Sequence, residues 1–178
     1  MRGIRTLPTG VERTFGADEI IVTKTDPRGV LTYANDVFLR LSACTEEEAL
    51  GQPHNLIRHP DMPRAVFKLL WDTLGRREEI FAYVLNLALD GAHYWVFAHV
   101  TPSFDRAGKL VGYHSNRRRP DPESVLAVKQ VYDRILHTER GRPTKGAAVD
   151  SGWKQLQEEL DGQTYDEFVW TITNRIGR

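Results

Sequence analysis

The sequence predicts an α+β fold: two strands, several short helices, three consecutive antiparallel strands and an amphipathic helical tail. Three observations carry that prediction. β-prone runs at 20–24 and 30–33 flank Asp26-Pro27-Arg28-Gly29, a turn with Pro in second place and Gly in fourth. Between Pro63 and Gly75, the residues Val66, Phe67, Leu70, Trp71 and Leu74 recur at spacings of three and four, the pattern of an amphipathic helix. Asp90-Gly91, a dipeptide favoured in two-residue hairpin turns, separates the apolar run 80–89 from a second run at 93–103.

Along the chain, residues 1–17 mix Gly, Pro, Thr and charges without apolar periodicity, which predicts a mobile arm or an edge-covering cap, with order beginning near Asp18. Residues 35–41 place Val37, Phe38 and Leu41 at helical spacing, and Thr45 with Glu48 forms a capping box for a second short helix that Gly51 stops. Residues 53–63 hold three prolines and two histidines, a composition that predicts an irregular polar loop. Residues 105–109 make the next turn and 110–117 the last strand. A helix over 121–137 follows, with Pro122 and Glu123 in its first turn and Val125, Val128, Tyr132 and Ile135 along one stripe. Residues 138–150 lack periodicity and read as a linker. The tail, 151–178, reads as two amphipathic segments, the second opened by a capping box of Thr164 and Glu167.

The 178 residues fit one domain of roughly 100–150 residues with appendages. The 24 Lys and Arg balance 24 Asp and Glu, which argues against a protein that binds DNA or RNA by neutralising phosphates. The single cysteine, Cys44, permits no intramolecular disulfide and no Cys-clustered metal site, so a cytoplasmic protein is expected. No run approaches the ~18–20 apolar residues of a membrane span, and the N-terminal residues lack the apolar stretch of a signal peptide. A nucleophile elbow, a glycine-rich phosphate loop and an H-E-x-x-H helix are all missing, so the chain is not expected to be an enzyme.

The chemically densest segment is Gln52-Pro-His-Asn-Leu-Ile-Arg-His-Pro-Asp-Met-Pro63. It admits three readings. His54, His59 and Asp61 have the donor types of a two-histidine, one-carboxylate metal site. Alternatively, Arg58, His59 and Asp61 bond one another and the backbone of an irregular loop. Or they line a pocket, where the fork of Arg58 suits an anionic or carbonyl oxygen of a ligand. Arg117-Arg118-Arg119, beside Asp121 and Glu123, reads as a solvated, partly paired corner. In residues 93–101, alternation puts His93, Trp95, Phe97 and His99 on one face and Tyr94, Val96, Ala98 and Val100 on the other. Neither face is wet in pattern, so the outer face should be covered by the arm, the tail or a second subunit.

Five stretches now combine: Thr25-Asp26 with Gly29, Leu31-Thr-Tyr-Ala-Asn-Asp-Val-Phe38, the string from Gly51 to Pro63, Asp90-Gly91-Ala-His-Tyr-Trp95, and Gly112-Tyr113 leading to Arg117. Together they make residues 18–136 resemble a PAS sensor domain of the aerotaxis-receptor type. The resemblance implies a five-stranded antiparallel sheet with helices on one face and FAD held between them, in a PAS domain over 18–120 followed by a signal or exit helix over 121–137. It places Arg58, His59 and Asp61 at positions implicated in flavin binding, and Asn35 at a family position opening the first helix. An isoalloxazine needs a flat apolar slot with a few donors and acceptors at its edge. Trp71, Phe81, Tyr94 or Trp95 would supply the slot, and Asn86, the polar residue breaking the third strand, joins the edge. Haem held by His93, His99 or His114 is an alternative, as is a cofactor-free dimerisation or scaffold module; a small metal-dependent enzyme is the remaining rival. Signalling is expected by altered association, as a homodimer or with a chemoreceptor or histidine kinase, the tail serving as docking element.

Overall fold

The computed structural model describes residues 6–174; residues 1–5 of the arm and 175–178 of the tail lie outside the described residues. Strands β1 (Ile21–Thr25), β2 (Leu31–Ala34), β3 (Ile80–Leu87), β4 (His93–Phe104) and β5 (Leu110–Arg118) form one sheet in the order β2-β1-β5-β4-β3. β1 pairs antiparallel with β2 and with β5, and β4 pairs antiparallel with β5. The predicted turn joins β1 to β2: the Asp26 carboxylate accepts from the backbone N–H of Arg28 at 2.8 Å and of Val30 at 2.9 Å. The helices are α1 (Asp36–Ser42), α2 (Glu46–Ala49), α3 (Arg64–Gly75), α4 (Pro122–Glu139), α5 (Lys145–Leu160) and α6 (Tyr165–Asn174). The loop expected to be wholly irregular contains one 3-10 turn, His54–Ile57.

The described residues divide into two compact units. One comprises the residues up to His59 together with Val84–Arg119; the other comprises Pro60–Tyr83 together with the residues from Pro120 onward. In the first unit, Phe38 and Leu41 of α1, Ala49 of α2 and Ile57 of the 3-10 turn pack with Ile21, Tyr94, Val96 and Ala98 of the sheet. These side chains share one sheet face, and their removal from water is the main stabilising contribution in this unit. Order begins well before Asp18. Thr9 N–H donates to the Gly91 carbonyl at 2.9 Å, Arg13 N–H to that of His93 at 2.7 Å, and Phe15 is buried in the core cluster. The arm has backbone partners because β4 begins with a free ladder edge at this point, which aperiodic side chains do not reveal.

The second unit is helical apart from the first half of β3. α5 packs on both α3 and α4. The Tyr132 hydroxyl donates to the Tyr83 carbonyl at 2.8 Å and accepts from the Tyr165 hydroxyl, also at 2.8 Å. The linker expected over 138–150 is corrected here, because α4 continues to Glu139 and α5 begins at Lys145. The Thr144 hydroxyl caps α5 by accepting from Ala147 N–H at 3.1 Å. Ala148, Gly152, Leu156 and Leu160 are its buried face, and because the first two are small, the four-residue spacing carried no visible apolar stripe. The tail therefore begins inside a helix, and only the few residues between Glu139 and Lys145 are non-helical.

Candidate functional site

The site is built on the helix-covered face of the sheet in the first unit. Directly paired residues of an antiparallel ladder point to the same side. β5 sets Arg117 opposite Ile21 and Ala98, and Ser115 opposite Thr23 and Val100. Since Ile21 and Ala98 belong to the core, Arg117 and Ser115 point into it as well. On β3, Asn86 shares the alternation of Val84, which packs against the same core cluster. Asn86, Ser115 and Arg117 thus enter this face together with Thr23 and Thr25 of β1.

Their hydrogen bonding is incomplete. Arg117 is 4% exposed, and its Nη2 donates to Thr23 Oγ1 at 2.9 Å and to His54 Nε2 at 2.5 Å. The guanidinium carbon lies 5.9 Å from the centroid of the Phe38 ring. Among the described residues, Arg117 Nη1, Asn86 Nδ2, Ser115 Oγ and Thr25 Oγ1 are buried with no hydrogen-bond partner. Leaving such an atom unpaired costs about 1–3 kcal/mol each, so their concentration on one sheet face marks a place where a polar ligand would be stabilising.

Burial dominates the electrostatics. It lowers the Arg117 guanidinium to about 10. Burial, and then the Arg117 charge, lower His54 to about 3, so its imidazole is neutral and accepts from Arg117 through Nε2. The unfolded chain takes up a proton at His54 below its ordinary value of 6.5, whereas the native chain does not until about pH 3. The contribution of His54 to stability is therefore full above pH 6.5 and falls as pH drops through that window, at up to about 1.4 kcal/mol per pH unit. His54→Gln, which keeps a neutral acceptor for Arg117, is expected to move the acid-unfolding midpoint followed by circular dichroism to lower pH. An unmoved midpoint would place the acid sensitivity elsewhere.

The residues expected from the sequence separate. Arg58, half-buried, forms a backbone bridge with Asn86, so these two are brought together. Tyr94 is on the same face but its hydroxyl is bonded to Ser42 Oγ at 2.7 Å. His59 is buried with its ring edge-on to His93, centroids 5.9 Å apart. Asn35 caps α1: its Oδ1 accepts from Phe38 N–H at 3.2 Å and Val22 N–H at 3.0 Å, and its Nδ2 donates to the Ile20 carbonyl at 2.8 Å. These bonds make it a positioning residue for the β1 to α1 junction. Trp95 is buried on the opposite face of β4 from Tyr94, and Phe81 is on the opposite alternation of β3 from Asn86. Trp71 is 45% exposed on α3, so it lines no buried slot. Asp61 is exposed and pairs with Arg140 at 2.8 Å within the second unit.

Two further expectations change. The triple arginine is not a uniformly solvated corner, because strand alternation sends Arg117 inward and leaves Arg118 exposed. Reading period two through 113–117 finds this, whereas reading the three arginines as one charged run hides it. The three donors of the imagined metal site have different neighbours: His54 meets Arg117, His59 meets His93 and Asp61 meets Arg140. Among the described residues no group of three His, Cys, Asp or Glu is arranged to hold a metal ion. His93, His99 and His114, the haem-ligand alternatives, alternate onto the face opposite Tyr94 and Ser115. Cys44 is half-buried, and burial, followed by Glu48, pushes its thiol up, away from nucleophilic reactivity.

The five-stranded antiparallel sheet with short helices over one face is that of a PAS domain, and this part of the chain belongs to the PAS family: residues 31–117 match the family model described as PAS fold. Among known proteins it is similar to the aerotaxis receptor of Escherichia coli K12, 41% identical over 138 residues, which are 76% of this chain and 27% of that protein. It is also similar to the nitrogen fixation regulatory protein of Klebsiella pneumoniae, 30% identical over 99 residues, 56% of this chain and 20% of that one. The chain thus spans about a quarter or less of these relatives. Among solved structures, the dark state of the blue-light photoreceptor Aureochrome1 LOV aligns with a TM-score of 0.53 at 22% identity, covering 67% of this chain and 86% of that one. A light-oxygen-voltage domain studied with a flavin analogue aligns with a TM-score of 0.54 at 23% identity, covering 65% and 86%. At those identities they bear on the fold alone. No helix among the described residues is long and apolar enough to cross a membrane.

Proposed function

We propose that this chain is a sensory module that detects redox state, oxygen or a small ligand through a flavin, FAD by its likeness to the aerotaxis receptor, held on the helix-covered face. Its output is altered association, with a second copy, a chemoreceptor or a histidine kinase. The observation that carries the reading is the Asn86 amide: buried, its Nδ2 without a partner, and set beside the Arg58 backbone on the face that the helices cover. The fit is chemical. A flavin ring presents carbonyl and ring-nitrogen acceptors along one edge, and this face offers donors from Asn86 and Arg117 with hydroxyls of Ser115 and Thr25. When bound, the flavin supplies reversible electron acceptance, and the chain's part is to hold the ring, exclude water and register changes in hydrogen bonding at its edge. Ser115 and Arg117 would pass such changes to β1 and β4, because β5 is paired with both.

Protein purified from expressing cells is expected to absorb near ~450 nm, the region set by the flavin chromophore, and to release FAD on denaturation. Asn86→Leu is expected to fold with unchanged circular dichroism and to lose at least tenfold in FAD affinity. A colourless wild type that cannot be reconstituted, or an Asn86→Leu chain that binds FAD as tightly as wild type, overturns the assignment.

A further inference from the structure

We propose that Arg117 makes the helix-covered face selective for negative charge, its unpartnered Nη1 donating to an anionic atom of the bound ligand. The guanidinium is 4% exposed, and its neighbours among the described residues are the Thr23 hydroxyl, the His54 imidazole, the Phe38 ring and the Tyr94 phenol. None of these is a carboxylate. Buried arginines are ordinarily paired with one, since an uncompensated charge in an apolar interior is among the least favourable arrangements a fold contains. The existing bonds aim the group without neutralising it: both are made by Nη2, to neutral acceptors, and Nη1 is left over. His54 is held neutral by burial and by Arg117 itself, so it neither compensates the charge nor competes for an anion. A purely structural role would be met as well by a methionine of similar volume. The arrangement is explained when the missing negative charge arrives with the ligand.

The inference rests on the flavin reading for the identity of that ligand, and not for its charge. Two electrons from a reductant such as dithionite, with one proton from water, leave the flavin ring with one added negative charge. Arg117 would therefore bind the reduced ring more tightly than the oxidised one, which raises the midpoint potential. The test is a dithionite titration of the full chain loaded with FAD, as wild type, Arg117→Lys and Arg117→Gln. Arg117→Gln is expected to lose at least tenfold in the ratio of reduced to oxidised affinity, a fall of about 30 mV for a two-electron couple. Arg117→Lys is expected to stay near wild type. Arg117→Met replaces the glutamine variant if that one does not fold. A neutral variant with the wild-type potential overturns the proposal. A wild type that takes up no FAD overturns the flavin reading alone, and sodium formate then serves as the probe. A saturable rise in melting midpoint over sodium chloride at equal ionic strength, lost in Arg117→Gln, supports the proposal. The same midpoint in both salts overturns it.

Discussion

Gly112→Ala is expected to lower stability by about 3 kcal/mol or more, the upper end for forcing atoms into a packed site. The backbone at Gly112 has φ +159°, and an added Cβ would stand 2.0 Å from the Thr25 carbonyl oxygen and 3.1 Å from its carbonyl carbon. Both obstacles are main chain, held by the ladder between β1 and β5, so neither can turn aside as a flexible side chain would. Against a total stability of about 5–15 kcal/mol for a domain of this kind, the loss is large. Urea denaturation is the measurement: the midpoint should fall with little change in slope. Gly108→Ala is the comparison. Gly108 has φ +76° but nothing within 4 Å of an added Cβ, so only the left-handed backbone penalty of about 1–2 kcal/mol applies. Equal losses at the two sites would contradict the close approach of β5 to the end of β1.

The second large effect is expected at Glu139. Pro63 precedes α3 without a side-chain cap, and the first backbone donors of that helix are met instead from α4: Glu139 Oε2 accepts from Arg64 N–H and Oε1 from Ala65 N–H, both at 2.9 Å. The carboxylate is 7% exposed and lies at the positive end of the α3 dipole. Glu139→Ala strands two N–H groups and is expected to cost about 2–4 kcal/mol, from the usual range for bonds to a charged acceptor. Gly152 of α5 lies beneath it, where an added Cβ would be 2.3 Å from Glu139 Oε1 and 2.7 Å from its Cγ. Gly152→Ala therefore destabilises the wild type by displacing the cap. With Glu139 already truncated, the same change should be stabilising by up to about 1 kcal/mol, the helix preference of alanine over glycine. That reversal of sign in a double-mutant cycle separates capping from simple packing, and additive effects would refute the shared contact.

Much of the fold is legible in the sequence alone. The turn at Asp26 to Gly29 and the capping boxes at Thr45 and Thr164 appear where their local chemistry put them, while the Asp90-Gly91 hairpin closes around three residues and not two, Ala88 N–H donating to the Ala92 carbonyl. Such signals are short in range and need no partner from elsewhere in the chain. The loop from Gly51 to Pro63 pointed to the right family, but only part of it reaches the site. Arg58 comes beside Asn86, while Asp61 pairs with Arg140, a residue far along the chain whose approach no spacing within the loop predicts. Trp71 shows the same limit from the other side. Helical spacing places it in an apolar stripe with Val66 and Leu74, yet those two are buried and it is exposed. The stripe is wider than the face that α3 buries.

By itself, then, the sequence determined the strand and helix order, the turns, the alternation of each strand and the family to which they belong. Tertiary structure decided which alternating face became interior, and with it that Arg117, one of three adjacent arginines, is a buried charge aimed by Thr23 and His54 while its neighbour Arg118 stays exposed. The physical reason is that periodicity assigns side chains to faces within one element, whereas burial depends on what packs across those faces. Charge, the strongest cue for exposure in a sequence, misleads at the position where a fold keeps an incomplete set of partners on its helix-covered face.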